Sequence, residues 1–337
     1  MKKAFAFLIS AALLTTVNTG HAEDVISDLA LSEKAFIPSS ESPEGMKTIM
    51  SETDEPFVHY ESGIQYADYD NFSPELRVIV PGATKKEVGP PDFSNRKAIP
   101  LIVFVQGSAW FAQNLDEKIP MLISFAEKYN FAVATVQYRP STVAKSPAQL
   151  QDVKSAIRYL KMNAQDYNID SKRVGIWGDS SGGHLAALVG STGHTTKFDT
   201  NQNTEANSKV NTVVDFYGPT DFVEMGKYPS IFDHTAPNSP ESTVIGGQPH
   251  LKENSQKVDE YNPITYISKD RELPSFLIMH ANSDPVVPFN QSVLLYQALR
   301  DNNQSVVFYN VQGGGHGYRF FTPAVIKVVG EFFKSNL

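Results

Sequence analysis

Ser180 stands in Gly178-Asp179-Ser180-Ser181-Gly182, between a short apolar run at 174–177 and an alanine- and leucine-rich one at 184–190. A serine with glycine two residues away on either side suits a sharp strand-to-helix turn, where the backbone is strained and only small neighbours fit. Such a turn lifts the hydroxyl clear of a sheet and aims the N–H of the next residue, Ser181, at an oxygen taking on negative charge. The chemistry this allows is nucleophilic attack on a carbonyl carbon. A glycine turn with no chemical role is the plainer reading; the strand pattern before it and the helix pattern after it weigh against that.

A serine hydroxyl is a poor nucleophile without a base, and the base needs a carboxylate to orient it. On a strand-turn-helix nucleophile the partners follow in the order serine, acid, histidine. Of eight histidines, His194, His234, His250, His280 and His316 lie well beyond Ser180. His316 sits in VQGGGHGY, a glycine loop after the last strand-like run, where an imidazole can project without obstruction. His280 ends an apolar run and reads as a packed core residue, while His194, His234 and His250 fall in polar loops. For the acid, MHANSDPVVP places Asp284 just past a strand and ahead of His316. Asp284 also suits a helix or turn cap, and Asp221 in YGPTDF competes from one strand earlier; the position relative to His316 favours Asp284. His184, four residues past Ser180, falls on the following helix and reads as packing or capping.

A tetrahedral oxyanion needs backbone donors. The loop after PLIVFV reads Gln106-Gly107-Ser108-Ala109-Trp110, so Gly107 or Ser108 could join Ser181 in that task. Trp110 is a candidate wall of the substrate pocket, or simple packing.

These residues need a scaffold that brings distant segments to one edge. Unbroken apolar runs recur at 100–107, 131–138, 173–178, 211–218, 275–281 and 305–311, and helix-like stretches at 119–130, 148–165, 291–302 and 324–335 alternate with them. That rhythm means a mostly parallel sheet with helices on both faces. Two strand-like runs from residue 58, VHYESGIQYADY and ELRVIV, read as a hairpin or meander at its edge. Residues 219–264 break the rhythm with prolines and glycines, are too long for an ordinary connection, and read as a lid or substrate wall.

Composition narrows the function classes. The 337 residues carry a formal charge of −8 and no basic tract, which argues against nucleic acid and anionic membranes. There are no cysteines, so a thiol nucleophile and cysteine metal sites are excluded. No histidine–carboxylate spacing suggests a metal, the glycines form no phosphate or dinucleotide loop, and no cofactor is expected. The start, MKKAFAFLISAALLTTVNTGHAED, has two lysines, an apolar run too short to span a bilayer, and Gly20 and Ala22 before a cut after Ala22. A signal peptide at 1–22 is expected, with 23–337 exported to the periplasm or secreted and not stably inserted in a membrane. Residues 23–56 read as a polar N-terminal arm. Oligomeric state has no signature.

The pieces QGSAW, VQYRPS, PAQLQDVKSAIRYL, GDSSGGH, HANSDPVVP and GGGHGY together resemble α/β-hydrolases of the esterase/lipase group, which includes hormone-sensitive-lipase-like and feruloyl or acetyl-xylan esterase-like enzymes. The resemblance covers about residues 100 to 320. It implies the α/β-hydrolase fold, Ser180 as nucleophile, Asp284 and His316 as its relay, and Ser181 with Gly107 or Ser108 as oxyanion donors. The group usually reads His-Gly-Gly where this chain has Gln106-Gly107-Ser108. The expectation is a cofactor-free serine hydrolase of small-molecule or carbohydrate esters, a carboxylesterase or carbohydrate acyl esterase. Two rivals share the scaffold: a prolyl-oligopeptidase-type peptidase, for which 23–56 is too short to supply the usual extra domain, and a non-catalytic binding protein, which usually lacks a triad member.

Overall fold

The computed structural model describes residues 40–49, 57–83, 93 and 96–337. Residues 58–82 and 93–337 make up one compact unit; of the other, 1–57 and 83–92, the stretch 40–49 is an exposed turn closed by the Met46 N–H on the Pro43 carbonyl at 3.0 Å. The expected signal peptide, and the arm outside 40–49, lie outside the described residues.

An eight-stranded sheet runs β1 (Phe57–Gln65), β2 (Glu75–Ala83), β3 (Ile99–Val105), β4 (Ala132–Val136), β5 (Ile169–Asp179), β6 (Thr212–Phe216), β7 (Ser275–His280) and β8 (Val306–Asn310), in the spatial order β1-β2-β4-β3-β5-β6-β7-β8. From β4 through β8 every pairing is parallel, and β2 joins β4 antiparallel at Leu76↔Val136. The expected mostly parallel sheet with a two-strand edge is therefore observed.

Side chains alternate across the strands, so each strand feeds two cores. Val103 and Val105, Ala134, Val174 and Ile176, Val213, and Phe276 and Ile278 face one layer, with α2 (Ala148–Met162), α3 (Ser181–Ser191) and α7 (Asn290–Asp301). Ile102 and Phe104, Val133, Trp177, Val214 and Phe216, and Leu277 and Met279 face the other, with α1 (Ile119–Tyr129) and α8 (Pro323–Asn336). Burial on both faces is why these strands read as unbroken apolar runs. Each fully buried aliphatic side chain contributes about 1.5–3 kcal/mol. Helix α3 is buried all round, which its sequence SGGHLAALVGS anticipates. This central helix starts immediately after Ser180, at the carboxyl edge of the sheet where such folds place ligands.

Residues 219–264 form short helices, α4 (Phe222–Met225), α5 (Pro240–Ile245) and α6 (Ser255–Glu260), with single 3-10 turns at Lys252–Asn254 and Pro263–Tyr266. Phe222, Val244, Ile245, Val258 and Tyr261 of this segment are buried in the α3-side core. Its 228–231 stretch lines a cavity of about 660 Å³ together with Asp284, Pro285, Pro288 and Phe289. Among the described residues no helix is long and apolar enough to cross a membrane.

The excursion after α3 is tied down by charge. Lys154 and Arg158, on the buried face of α2, both reach Asp199 Oδ1, at 3.1 and 2.9 Å, with their side chains 1% exposed. Removing the shared carboxylate would leave two buried cations facing only neutral acceptors, the carbonyls of Thr192, Thr195 and Gln202 and the Thr200 hydroxyl. Asp199→Asn is expected to lower stability by about 2 kcal/mol, less than the ~3–5 kcal/mol of a fully buried pair because the carboxylate keeps some water. The check is a lower urea midpoint with an unchanged slope.

Candidate active site

Ser180 caps α3 with φ 53° and ψ −126°, a backbone setting that side-chain-bearing residues rarely adopt. The tightness of the turn shows at its glycines: a Cβ on Gly178 would lie 2.1 Å from the Gly182 carbonyl oxygen, and one on Gly182 would lie 1.9 Å from that of Val105. The two glycines are thus required by close backbone approach. The Ser180 N–H is held by the Phe216 carbonyl at 2.9 Å, which locks the turn onto the end of β6.

Three segments meet at this corner. His316 Nε2 lies 3.0 Å from Ser180 Oγ, and His316 Nδ1 lies 2.9 Å from Asp284 Oδ2. Asp284 Oδ1 accepts the backbone N–H groups of Val286 and Val287, at 2.8 and 3.0 Å. Burial pushes this carboxyl's pKa up, but hydrogen bonds from His280, His316 and Val286 outweigh it and hold the group well below the usual carboxylate range. Asp284 is therefore an anion at every physiological pH. The side chain of Asp284 is fully buried and that of His316 is 21% exposed, so the charge is shielded while the imidazole meets the cleft. Asp221, the competing acid, caps α4 by accepting from Val223 and Glu224 N–H groups, both at 2.9 Å.

The loop after β3 is fixed to this corner by side chains that the spacing did not reveal. The Gly107 N–H donates to Asp179 Oδ1 at 3.0 Å, and the Ser108 N–H donates to Ser181 Oγ at 2.9 Å. The two loop N–H groups expected to join Ser181 as oxyanion donors thus already have acceptors, whereas among the described residues the N–H groups of Ala109 and of Ser181 itself have none. Tyr138 sits between the two serines, its hydroxyl 2.8 Å from Ser108 Oγ and 3.3 Å from Ser181 Oγ. Since the Ser108 hydroxyl donates to the Phe111 carbonyl at 2.7 Å, it must accept from Tyr138. The Ser181 hydroxyl then donates to Tyr138, giving every hydroxyl of the chain one donor role. Gln113 completes the brace: its Nε2 donates to the carbonyls of Gln106 and Val136, and its Oε1 accepts the Tyr138 N–H. Gln106, which stands where the resembling group has histidine, donates to Glu117 Oε2 at 3.0 Å.

Of the two readings of Trp110, pocket wall or packing, the structure shows packing. It is 1% exposed, its Nε1 donates to His184 Nδ1 at 3.3 Å, and it packs edge-on against His184 and Phe222. The left-handed backbone at Ala109 and Trp110, φ 53° and 59°, turns the indole inward. His184 is the packing residue its position suggested: burial pushes its pKa down to about 4, and its Nε2 lies 2.7 Å from the Tyr261 carbonyl. With Nδ1 accepting from Trp110, the Nε2–H donates to Tyr261, so one neutral tautomer joins loop, helix and the 219–264 segment. Tyr217 lies beneath His316, ring centroids 4.7 Å apart, at φ 43°. Among the described residues no group of three or more His, Asp or Glu is placed to hold a metal ion.

Comparison with known proteins agrees with this architecture. The BD-FAE family model matches residues 90–299. A solved structure described as a truncated form of carbohydrate esterase from gut microbiota is 31% identical, covers 86% of this chain and 99% of its own, and superposes with a TM-score of 0.69. A bifunctional GH43-CE of Bacteroides eggerthii is 32% identical with a TM-score of 0.68, covering 82% of this chain and 38% of its own. Esterase LipC of Mycobacterium tuberculosis is 26% identical over 229 residues, 66% of this chain and 54% of LipC. The chain spans about half the length of the curated relatives it matches. With a mostly parallel sheet, a strained serine between strand and helix, and a match over most of the described sheet, the chain belongs to the BD-FAE family and has the α/β-hydrolase fold.

Proposed function

We propose that this protein hydrolyses carboxylic esters through an acyl-enzyme on Ser180. The observation that carries the reading is the line Ser180 Oγ–His316 Nε2–Asp284, with contacts of 3.0 and 2.9 Å. Asp284, an anion facing Nδ1, fixes the tautomer whose Nε2 is free to accept. Ser180 Oγ attacks the ester carbonyl as its proton passes to His316 Nε2. The resulting oxyanion is held by the free N–H groups of Ser181 and Ala109, each such donor contributing a few kcal/mol to the transition state. The C–O bond breaks, the alcohol leaves with the proton from His316, and the acyl group stays on Ser180. Water then loses a proton to His316, attacks the acyl carbon, and the acid departs as Ser180 recovers its proton.

A carbohydrate ester is the favoured substrate class. It rests on the structure at 31% identity, which is described as a carbohydrate esterase from gut microbiota. Export is part of the proposal and rests on the lysine-led apolar start of the chain and the Gly20/Ala22 cut site.

The test is covalent labelling. A fluorophosphonate should add one equivalent to Ser180, located by peptide mass, and labelled protein should lose hydrolysis of p-nitrophenyl acetate in proportion. Acetylated xylo-oligosaccharides should release acetate faster than p-nitrophenyl octanoate turns over. Adduct on another residue, or hydrolysis surviving complete labelling, would remove Ser180 from the reaction.

A further inference from the structure

Asp284 carries a second imidazole. His280, the last residue of β7, places Nε2 3.3 Å from Asp284 Oδ2, the same oxygen that receives His316 Nδ1. The ring is completely buried, as is Ser292 on α7, whose Oγ lies 2.8 Å from His280 Nδ1. His280 Nε2 also lies 3.1 Å from the Val287 carbonyl. These contacts fix the proton. Nε2 faces only acceptors, a carboxylate and a carbonyl, so it bears the hydrogen. Nδ1 faces a hydroxyl, which can donate, so Ser292 Oγ–H donates to it.

We infer that His280 is a positioning residue for the Asp284–His316 pair, a neutral Nε2–H imidazole that holds the carboxylate in register and takes up part of its charge. The inference rests on the catalytic reading of Ser180, Asp284 and His316. Each oxygen of Asp284 thereby receives two N–H groups: Val286 and Val287 on Oδ1, His316 and His280 on Oδ2. That arrangement leaves the carboxylate no freedom to rotate about its C–C bond without breaking two bonds at once. It also tempers the attraction of Oδ2 for the His316 proton, because a charge shared among more donors holds each of them less strongly. The titratable groups facing this pair are Tyr217, whose ring packs on both imidazoles, and Asp179, which acts on His316 through space. Neither touches Asp284 Oδ2 by a hydrogen bond, so His280 is the element that can be changed alone.

The kinetic test compares His280→Leu with His280→Gln. Leucine removes the donor, and the glutamine amide can restore an N–H near the Nε2 position. His280→Leu should lower kcat by about 10-fold with little change in KM, the cost of one hydrogen bond to a charged group. It should also move the acid limb of the kcat/KM profile up by about half a pH unit, and His280→Gln should recover part of both. A measurement on the unmodified protein keeps the inference testable should the leucine variant fail to fold. Side-chain nitrogen NMR, with each ring assigned through bonds to its own backbone so that His280 is told from the buried His184 and His234, should show His280 as the Nε2–H tautomer, with a proton slow to exchange. This readout needs no turnover, so failure of the ester-hydrolysis reading and failure of this one are separable. His280 found as the Nδ1–H tautomer, or a folded His280→Leu enzyme with unaltered kcat and acid limb, would overturn the inference.

Discussion

Asp284→Asn should lower kcat/KM by about 10⁴-fold, the scale on which a serine–histidine pair suffers when its acid becomes an amide. The local reason is that all four neighbours of the carboxylate are donors: two backbone N–H groups on one oxygen and two imidazoles on the other. An amide can accept on one side only. If its oxygen stays with Val286 and Val287, its NH₂ confronts His316 Nδ1 and selects the tautomer that carries hydrogen on Nε2. That nitrogen then points N–H at Ser180 Oγ and cannot take a proton. If the amide turns over, two backbone donors face an NH₂, and the acid loop must shift at a cost of about 1–3 kcal/mol per orphaned group. Both routes remove the base, by tautomer or by displacement. The measurement is p-nitrophenyl acetate hydrolysis beside a urea unfolding curve. A folded variant within 10-fold of the parent would take Asp284 out of the reaction. Asp221→Asn, which alters only a helix cap and its Asn262 contact, should leave the rate near the parent's.

The contrast between these two aspartates shows what a sequence can carry. Both follow strands, and both precede a residue pattern suited to capping. Both precede His316, but Asp284 follows the later strand, which favoured it, and the structure brings that residue, not Asp221, to the imidazole. Of the six apolar runs from residue 100 onward, the sixth became β8, a partly exposed edge strand; the other five were legible as strands because burial on two faces erases polar alternation, a purely local signal. The elbow was legible for the same reason, since its glycines are demanded by contacts within a few residues and with the adjoining strand.

What stayed hidden depends on long-range pairing. Tyr138 and Gln113 brace the loop after β3 through contacts 25 to 43 residues apart in the chain. No spacing announces them. Trp110 stayed open between pocket wall and packing, and it is two successive left-handed residues that turn it to the core. His280 was legible as buried yet not as a partner of the acid. Its four-residue spacing to Asp284 was the available signal, and it means contact only because the acid loop folds back over the end of β7.

Asp215→Asn should stabilise the protein, and increasingly so as pH rises. Asp215, near the end of β6, is 1% exposed, and its Oδ1 accepts the Gly218 N–H at 2.9 Å while Oδ2 has no hydrogen-bond partner. Burial raises its pKa to about 7, against the lowering effect of that one N–H. The folded state thus binds this proton more tightly than the unfolded chain, whose carboxyl titrates near 3.8. Below that pH both states are protonated and the group costs nothing. Between it and about 7 the unfolded chain ionises first, so stability declines with rising pH and levels off once the folded carboxyl ionises too. A shift of this size corresponds to about 4 kcal/mol lost by pH 8. An asparagine keeps the acceptor for Gly218 and never ionises, so the parent and variant should match near pH 4 and diverge by up to about 4 kcal/mol at pH 8. Urea unfolding at several pH values reads this directly. A difference that did not grow with pH would mean that the buried carboxylate finds a donor when it ionises. Its surroundings argue otherwise, because the glycines at 183 and 218 that make room for the carboxyl supply no side chain to pair with it.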